Sequence, residues 1–267
     1  MKKIIAGLLL VSISLLAKDV STYLTGKFQS TDAVKSALSS NGFKIVGEYD
    51  AMGDANYHVV AYTCPGLSKL ASKETRGFAA VQKVLIDKKD KTIVATNPEY
   101  FMEAFLQADN DTKISAKVAS KLTTALGELK GGELKLEDDD IEGYHFMMGM
   151  PYYEDMIEIA EGKDLASKLE KNAKGNIVYK LTVGDAKLYG VAMPTENGEK
   201  SYVNAIEAQK HLAFLPYMVL IEDNKAKILH GKFYLAVSNP NLSMGDFMGI
   251  SSTPDDIEDY MTNLVTQ

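Results

Sequence analysis

The stretch IVYKLTVGDAKLYGVAM, residues 177–193, indicates the fold more clearly than any other part of the chain. Two largely apolar runs, Ile177–Val183 and Lys187–Met193, are joined through the turn-forming pair Gly184-Asp185, which is typical of a β-hairpin. Strands connected by so short a turn pair antiparallel, so this stretch predicts part of an antiparallel sheet.

Another hairpin is predicted in the first half of the chain, where Phe43–Asp50 and Tyr57–Thr63 flank a segment rich in turn-forming residues. Helices are predicted between and after the strands, and an apolar stripe over residues 114–129 indicates one of them. Thr253 followed by Pro254 predicts the start of the last helix. Because short strand connections are mixed with helices, the predicted fold class is α+β, with a mainly antiparallel sheet packed by helices.

Several motifs recur in the same order in both halves of the chain, which predicts an internal duplication. Asn97-Pro98 and Asn239-Pro240 both begin the pattern N-P-x3-M-x2-F-(L/M), which places Met102 and Met244 at matching positions. Strand-like patterns also recur upstream, at residues 61–65 and 190–194 and at residues 84–87 and 219–222. The sequence therefore predicts two tandem, similar α/β-sandwich units.

The predicted units are residues 18–131 and 141–267, and the polar, acidic segment 132–140 is the predicted linker. In the second unit, alternating apolar residues over 144–152 predict the opening strand, and a helix is predicted over residues 154–174.

The N-terminal segment has the three-part pattern of a secretory signal peptide. Lys2 and Lys3 are cationic, an apolar run extends over residues 4–16, and Ala17 is the predicted cleavage position. The run is shorter than the ~20 residues of a membrane-spanning helix, although an uncleaved anchor is the alternative interpretation. We therefore expect a periplasmic or secreted protein that has no integral membrane segment once the signal peptide is removed.

The composition of the 267-residue chain, with 46% hydrophobic and 24% charged residues, is typical of a globular protein. The net charge is −7, and loss of Lys2 and Lys3 with the signal peptide would make it −9. Nucleic-acid binding requires clustered positive charge, so this acidic chain argues against it. Cys64 is the only cysteine, which excludes an internal disulfide.

The predicted units resemble the "domain of unknown function 302" family, which has the TT1751-like fold. The resemblance depends on five short motifs: NGFKIV at 41–46, TCP at 63–65, TNP at 96–98, LPYMV at 215–219 and SNP at 238–240. It implies a small α/β module that often self-associates, so two fused units would mimic a homodimer. The family implies no established activity and no catalytic residues. The second unit departs from it by having Met193 where the first unit has Cys64.

Motifs of the common enzyme classes are absent from the sequence, including the nucleophile elbow, the zinc-protease motif and the phosphate-binding loop. The histidines are too scattered to indicate a zinc site: His58, His145, His211 and His230. The prediction leans toward a protein that is not an enzyme. The alternative is a periplasmic redox or hydrolytic enzyme that uses Cys64 or a histidine, because catalytic groups distant in sequence are often adjacent in space.

Residues 143–151, GYHFMMGMP, place a histidine among three methionines. Thioether and imidazole groups are soft ligands, suited to Cu(I) or to the axial positions of non-covalent haem. A strand would alternate its side chains, with His145 and Met147 on one face and Phe146 and Met148 on the other. His145 and Met147 are therefore the candidate metal ligands. The alternative is that the methionines fill irregular gaps in the core.

Together these patterns predict a periplasmic protein of two similar units that binds a small ligand, a soft metal such as Cu(I), haem or a protein partner. Ligand pockets favour domain interfaces, so the groove between the units is the expected site. A structural or assembly protein that forms a homo-oligomer and binds no ligand is a further alternative.

Overall fold

A computed structural model of the protein describes residues 18–267, so the predicted signal peptide, Met1–Ala17, lies outside the described residues. Of the described residues, 42% are helical and 27% are in strands, and every strand pairing among them is antiparallel, which confirms the predicted α+β class. Within residues 18–267, no helix is both long and apolar enough to cross a membrane.

Strands and helices are mixed along the whole of the described chain. The strands are β1 (Asp19–Ser21), β2 (Tyr23–Lys27), β3 (Lys44–Asp50), β4 (Tyr57–Thr63), β5 (Gln82–Asp87), β6 (Thr92–Thr96), β7 (Leu129–Gly131), β8 (Lys135–Glu137), β9 (Ile157–Glu161), β10 (Ile177–Val183), β11 (Ala186–Val191), β12 (Tyr217–Glu222) and β13 (Lys225–Ile228). The α-helices are α1 (Thr31–Ser40), α2 (Pro65–Ala71), α3 (Pro98–Leu106), α4 (Thr112–Leu126), α5 (Asp138–Ile141), α6 (Leu165–Ala173), α7 (Glu199–Ala205), α8 (Gly231–Ser238), α9 (Met244–Gly249) and α10 (Thr253–Thr266).

Eleven strands form one sheet in the order β7-β2-β6-β5-β4-β3-β10-β11-β12-β13-β9, and β1 pairs with β8 in a separate two-stranded sheet. Ten of these strands make up two halves, β2 to β6 and β9 to β13, which meet where β3 pairs with β10, and β7 extends the sheet beyond β2. This junction is termed the seam. The same strand order recurs on both sides of it. Counted from the seam outward, the first half runs β3-β4-β5-β6-β2 and the second half runs β10-β11-β12-β13-β9, so in each half the first strand in sequence lies beyond the fifth.

Close approach of two backbones at Gly47 makes the seam. Gly47 of β3 pairs with Tyr179 of β10, and a Cβ at Gly47 would overlap the carbonyl oxygen of Val178. The pairing of β3 with β4 shifts register just before Gly47, and that of β10 with β11 shifts just before Tyr179. Such irregularities bend a strand locally, and here both occur at the seam.

Each half also sends a short 3-10 helix across the seam. Gly77–Ala80 of the first half packs against β11 and β12, whereas Ala208–Phe214 of the second half packs against β4, β5 and β6. The buried apolar residues of both halves accordingly belong to one continuous core. The interior is therefore shared across the predicted boundary between the units.

The structure confirms the hairpins and two of the helices that were predicted from the periodicity of the sequence. Strands β3, β4, β10 and β11 match the two predicted hairpins nearly residue for residue. Helix α4 buries Val118, Leu122 and Leu126, which belong to the predicted apolar stripe. Helix α10 begins at Thr253, so its start lies one residue before the predicted first helical position, Pro254, and its N-cap is Ser252 rather than Thr253.

Two predictions for the second half, its opening strand and the helix that follows, are wrong. Residues 144–152 form turns and bends, and β9 occupies the position at the edge of the sheet instead. The single predicted helix over 154–174 is replaced by β9 and the shorter α6. Gly143 and Gly149 adopt positive φ angles of 71° and 84°, which interrupt the extended run that the alternating pattern implied.

The two Asn-Pro motifs occupy different structural positions, so the predicted match between them is also wrong. Asn97 caps the N-terminus of α3, whereas Asn239 follows the last residue of α8 and caps its C-terminus. The N-cap of α8 is His230. Because the motifs differ in place, Met102 is buried in α3 while Met244 is exposed at the start of α9.

The predicted linker, residues 132–140, contains short regular elements. It includes β8 and most of α5, and β8 pairs with β1 near the start of the described chain. Most of its side chains are exposed, as its polar composition indicated.

Candidate ligand-binding site at the seam

A groove lies where turns of the first half face α7 of the second half. Its cavity measures about 1000 Å³, and residues from both halves line it. The first half contributes the turns that follow β3 and β5, and the second half contributes α7 and the residues after it. This cavity is termed the seam groove. Its lining includes many charged side chains: Asp54, Asp87, Lys89, Asp90, Lys200, Glu207 and Lys210.

A smaller cavity of about 310 Å³ adjoins the seam groove, since Met52, Gly53 and Lys200 line both. It also lies between the halves, with Tyr49 on one side and Glu199 on the other. Glu199 is only 2% exposed. This smaller space is termed the Glu199 cavity.

The local backbone on both sides fixes the position of Glu199. Glu199 is the first residue of α7, and its backbone N–H donates to the Met193 carbonyl oxygen at 3.1 Å. A Cβ at Gly198 would overlap that carbonyl, so this arrangement of the start of α7 requires glycine at position 198. Across the cavity, Met52 adopts the left-handed backbone conformation, with φ of 58°.

Three hydrogen bonds hold the Glu199 carboxylate. The Tyr49 hydroxyl donates to Oε1 at 3.0 Å, the Met52 backbone N–H donates to Oε2 at 3.0 Å, and the Met193 backbone N–H donates to Oε1 at 3.4 Å. Tyr49 and Met52 belong to the first half, so the carboxylate connects the two halves at the wall of the cavity.

The electrostatic environment of Glu199 is unusual for an acidic residue. Burial raises its pKa from 4.5 to about 7, and the three hydrogen bonds only partly oppose this rise. Within the described residues Glu199 forms no ion pair, although buried carboxylates are normally paired with a cation. The arrangement is suited to a ligand that brings a positive charge.

A second polar group lies near this carboxylate. Tyr202 follows Glu199 by one turn of α7, and its hydroxyl is buried without a hydrogen bond to any described residue. Burial, together with the nearby Glu199 carboxylate, raises the pKa of Tyr202 well above its ordinary value. The Tyr202 hydroxyl therefore remains protonated and keeps its capacity to donate.

A buried lysine also crosses the seam. The Nζ atom of Lys83, in β5, donates to the Phe214 carbonyl oxygen at 2.9 Å and lies 3.5 Å from the Tyr234 hydroxyl. Burial lowers the pKa of Lys83 from 10.5 to about 7. Lys83 lines neither the seam groove nor the Glu199 cavity, so we assign it to the shared core rather than to the site.

The candidate metal ligands from the sequence lie in the loop between α5 and β9 and line neither seam cavity. The ring centroid of His145 is 4.3 Å from that of Tyr152, and Met147 is exposed. Because no strand forms here, the predicted reason for pairing His145 with Met147 is wrong, while metal binding by them stays a prediction. Met148 is 95% exposed, so the alternative assignment to the core is wrong for this residue.

The remaining residues considered for catalysis are dispersed. Cys64 is buried, and no hydrogen bond among the described residues joins its thiol to a histidine. His58 contacts Asp50 at 2.7 Å, His211 stacks on Tyr23, and His230 caps α8. Over residues 18–267, no group of three His, Cys, Asp or Glu side chains is placed to hold a metal ion.

Glu199 is not among the site residues predicted from the sequence. A signal was present, because Glu199 shares a helical spacing with Tyr202, Val203 and Ile206, which places an acidic residue on an apolar face. The partners that make the cavity, Tyr49 and Met52, lie about 150 residues earlier, and no local pattern connects them to α7.

Comparison of the chain with known proteins gives no match, whether to a protein-family model, to a curated protein or to a solved structure.

Proposed function

We propose that the chain is an exported, non-enzymatic binding protein whose Glu199 cavity holds a small molecule with a basic group. The cationic group of the ligand lies against the Glu199 carboxylate, and the remainder of the molecule extends into the seam groove. The predicted signal peptide supports a periplasmic or secreted location.

The observation that carries this proposal is the buried, unpaired carboxylate in a cavity. Removing a carboxylate from water is costly unless a cation or enough hydrogen bonds compensate. The three hydrogen bonds to Glu199 compensate only in part, since its pKa stays near 7. A ligand cation would supply the remaining compensation, and the charged lining of the seam groove suits a polar ligand.

We also propose that the two halves arose by duplication of one unit, as the resemblance to the TT1751-like fold implies. The recurring strand order, the paired register shifts at the seam and the reciprocal crossing of two 3-10 helices support this origin. In this proposal the seam takes the place of a dimer interface, which accounts for a ligand site that needs both halves.

Calorimetric titration of the chain lacking residues 1–17 tests the ligand class. We expect choline, agmatine or putrescine to bind, and succinate and glutarate to give no heat at the same concentrations. The variant Glu199→Gln should weaken binding by about 30-fold or more, because loss of one partner of a buried charge pair costs about 2 kcal/mol or more.

Two further variants separate binding from folding. Thr195→Trp should obstruct the Glu199 cavity at its exposed wall and abolish binding while leaving the carboxylate unchanged. Glu158→Gln, on the outer strand β9, removes a carboxylate elsewhere and should bind like the parent protein. Equal binding of succinate, or unchanged affinity in both Glu199→Gln and Thr195→Trp, would contradict the proposal.

A second candidate function is enzymatic acid–base chemistry at the same residue. A carboxyl group with a pKa of about 7 in a cavity has the protonation equilibrium that a general acid or base requires near neutral pH. NMR of a bound amine during prolonged incubation distinguishes the two functions. An unchanged ligand supports the binding protein, whereas conversion that is lost in Glu199→Gln favours the enzyme.

A further inference from the structure

We propose that the loop Tyr144–Tyr152 and helix α9 together form a binding site for a soft monovalent cation such as Cu(I), separate from the seam. The ligands in this proposal are the thioethers of Met147, Met244 and Met248 and the imidazole of His145. The two segments together are termed the methionine face.

The distribution of exposed apolar side chains is the first observation. Six large apolar side chains are exposed among the described residues, and five of them belong to these two segments: Met147, Met148, Tyr152, Met244 and Met248. The exposure reaches 95% at Met148 and 72% at Met248. Methionine is normally a buried residue, so four exposed methionines on one part of the surface call for a role other than packing.

The second observation places the two segments side by side. The ring centroids of Phe146, in the loop, and Phe247, in α9, are 4.3 Å apart. Met147 follows Phe146 directly, and Met248 follows Phe247 directly. Met244 precedes Met248 by four residues, so both lie on the same side of α9. The aromatic contact thus brings together two segments, distant in sequence, that carry exposed methionines.

The third observation is that His145 is placed to provide a nitrogen ligand. His145 packs against Tyr152 with ring centroids 4.3 Å apart, and its Nε2 lies 3.5 Å from the Tyr152 hydroxyl. Its Nδ1 atom forms no hydrogen bond with the described residues. The tyrosine therefore orients the imidazole and leaves one nitrogen for a metal, as partners of ligating histidines commonly do.

The chemistry of this donor set selects the cation. Three thioethers and one imidazole are soft, uncharged ligands, which favour Cu(I) over Zn²⁺, Ca²⁺ or Mg²⁺. The absence of any group of three His, Cys, Asp or Glu ligands over residues 18–267 also disfavours a site for the harder ions. Binding changes no oxidation state, so Ag(I) serves as a redox-inert substitute for Cu(I).

Titration with Ag(I) by calorimetry, and with Cu(I) under anaerobic competition with bicinchoninate, tests the proposal. We expect one tightly bound ion for each chain. The triple variant Met147→Leu, Met244→Leu and Met248→Leu keeps the apolar surface but removes the sulfur atoms, and it should weaken binding by about 100-fold or more. His145→Ala should weaken binding by about 10-fold or more.

The control is Met156→Leu, which removes a half-buried thioether outside the methionine face and should bind as the parent protein does. Circular dichroism checks that the triple variant is folded, which the exposure of its residues leads us to expect. Unchanged affinity in the folded triple variant, or equal loss in Met156→Leu, would overturn the proposal and leave the methionine face as an apolar surface. Because these residues are outside the seam, the result is independent of ligand binding at Glu199.

Discussion

The Tyr49 hydroxyl donates a hydrogen bond to the Glu199 carboxylate at 3.0 Å, across the seam between the two halves of the sheet. Tyr49 belongs to β3 and Glu199 begins α7, so the bond joins the second strand of one half to a helix of the other. Burial raises the pKa of both groups, that of Tyr49 well above its ordinary value. The contact thus combines a structural connection between the halves with a carboxyl group that titrates near neutral pH.

The free energy of unfolding should decrease between about pH 4.5 and pH 7 because of Glu199. Its folded-state pKa of about 7 exceeds the ordinary value of 4.5, so the folded protein binds more protons than the unfolded chain in this window. The stabilising contribution of Glu199 is fully present below its unfolded-state pKa of 4.5 and is lost as the pH rises through its folded-state pKa of about 7. The loss amounts to roughly 3 kcal/mol.

Urea unfolding at several pH values measures this decrease. The variant Glu199→Gln should remove most of it, because its amide is neutral at every pH and retains an oxygen that accepts from Met52. Glu158→Gln should keep it. If the free energy of unfolding changes with pH equally in the parent protein and in Glu199→Gln, other groups cause the pH dependence.

Lys83 should have the opposite effect above neutral pH. Its folded-state pKa of about 7 is below the ordinary value of 10.5, so the unfolded chain binds more protons between these values and stability rises with pH. Lys83→Met should flatten this rise and increase the free energy of unfolding at about pH 6 by roughly 1–3 kcal/mol. The Phe214 carbonyl keeps its hydrogen bond from Tyr234 in the variant. Chemical unfolding at pH 6 and pH 9 provides the check, and a destabilised variant at pH 6 would contradict the expectation.

Gly47→Ala should disrupt the seam. The added Cβ would overlap the backbone carbonyl of Val178, which cannot move without separating β3 from β10. We expect a loss of about 3 kcal/mol in thermal or urea unfolding, at the upper end of the range for overpacking. The matched control is Gly249→Ala, where a Cβ meets no atom within 4 Å, and its effect should be small. Equal effects of the two substitutions would mean that the seam tolerates a side chain.

The Cys64 thiol should react slowly in the folded protein. It is 4% exposed and precedes α2, so a thiol reagent reaches it only after local or global opening. Labelling with a chromogenic disulfide near neutral pH should be at least ~100-fold slower than in denaturant. Rapid labelling of the folded protein would instead favour the alternative in which Cys64 is a reactive group.

Sequence patterns correctly predicted the elements that are determined by interactions between residues close in sequence. The turn at Gly184-Asp185 and the alternation around it were sufficient for the β10–β11 hairpin, and the apolar stripe was sufficient for α4. The predicted strand over residues 144–152 does not form, although apolar residues alternate there: Tyr144 and Phe146 are half-buried, whereas Met148 and Tyr152 are exposed. The glycines at 143 and 149 take positive φ angles there, and a sequence pattern does not distinguish such a loop from an edge strand.

The site was harder to predict because its parts are distant in sequence. The expectation of a groove between the halves follows from a general preference of ligands for interfaces, and two cavities lie there. The residues, however, depend on how β3 and β10 pair, which fixes the distance from Tyr49 to Glu199. The Asn-Pro motifs show that similar sequences can also occupy different positions in the structure. Asn97 lies at the N-terminus of its helix, whereas Asn239 lies at the C-terminus of another.

Proton release on ligand binding tests the central claim most directly. Choline has a permanent charge and cannot lose a proton, so any proton released when it binds at about pH 7 comes from the protein. A cation beside Glu199 lowers its pKa, and calorimetry in buffers of different ionisation enthalpy should record release of about half a proton for each choline bound. Glu199→Gln should release none. Binding without proton release in the parent protein, or equal release in Glu199→Gln, would contradict the assignment of Glu199 as the partner of the ligand cation.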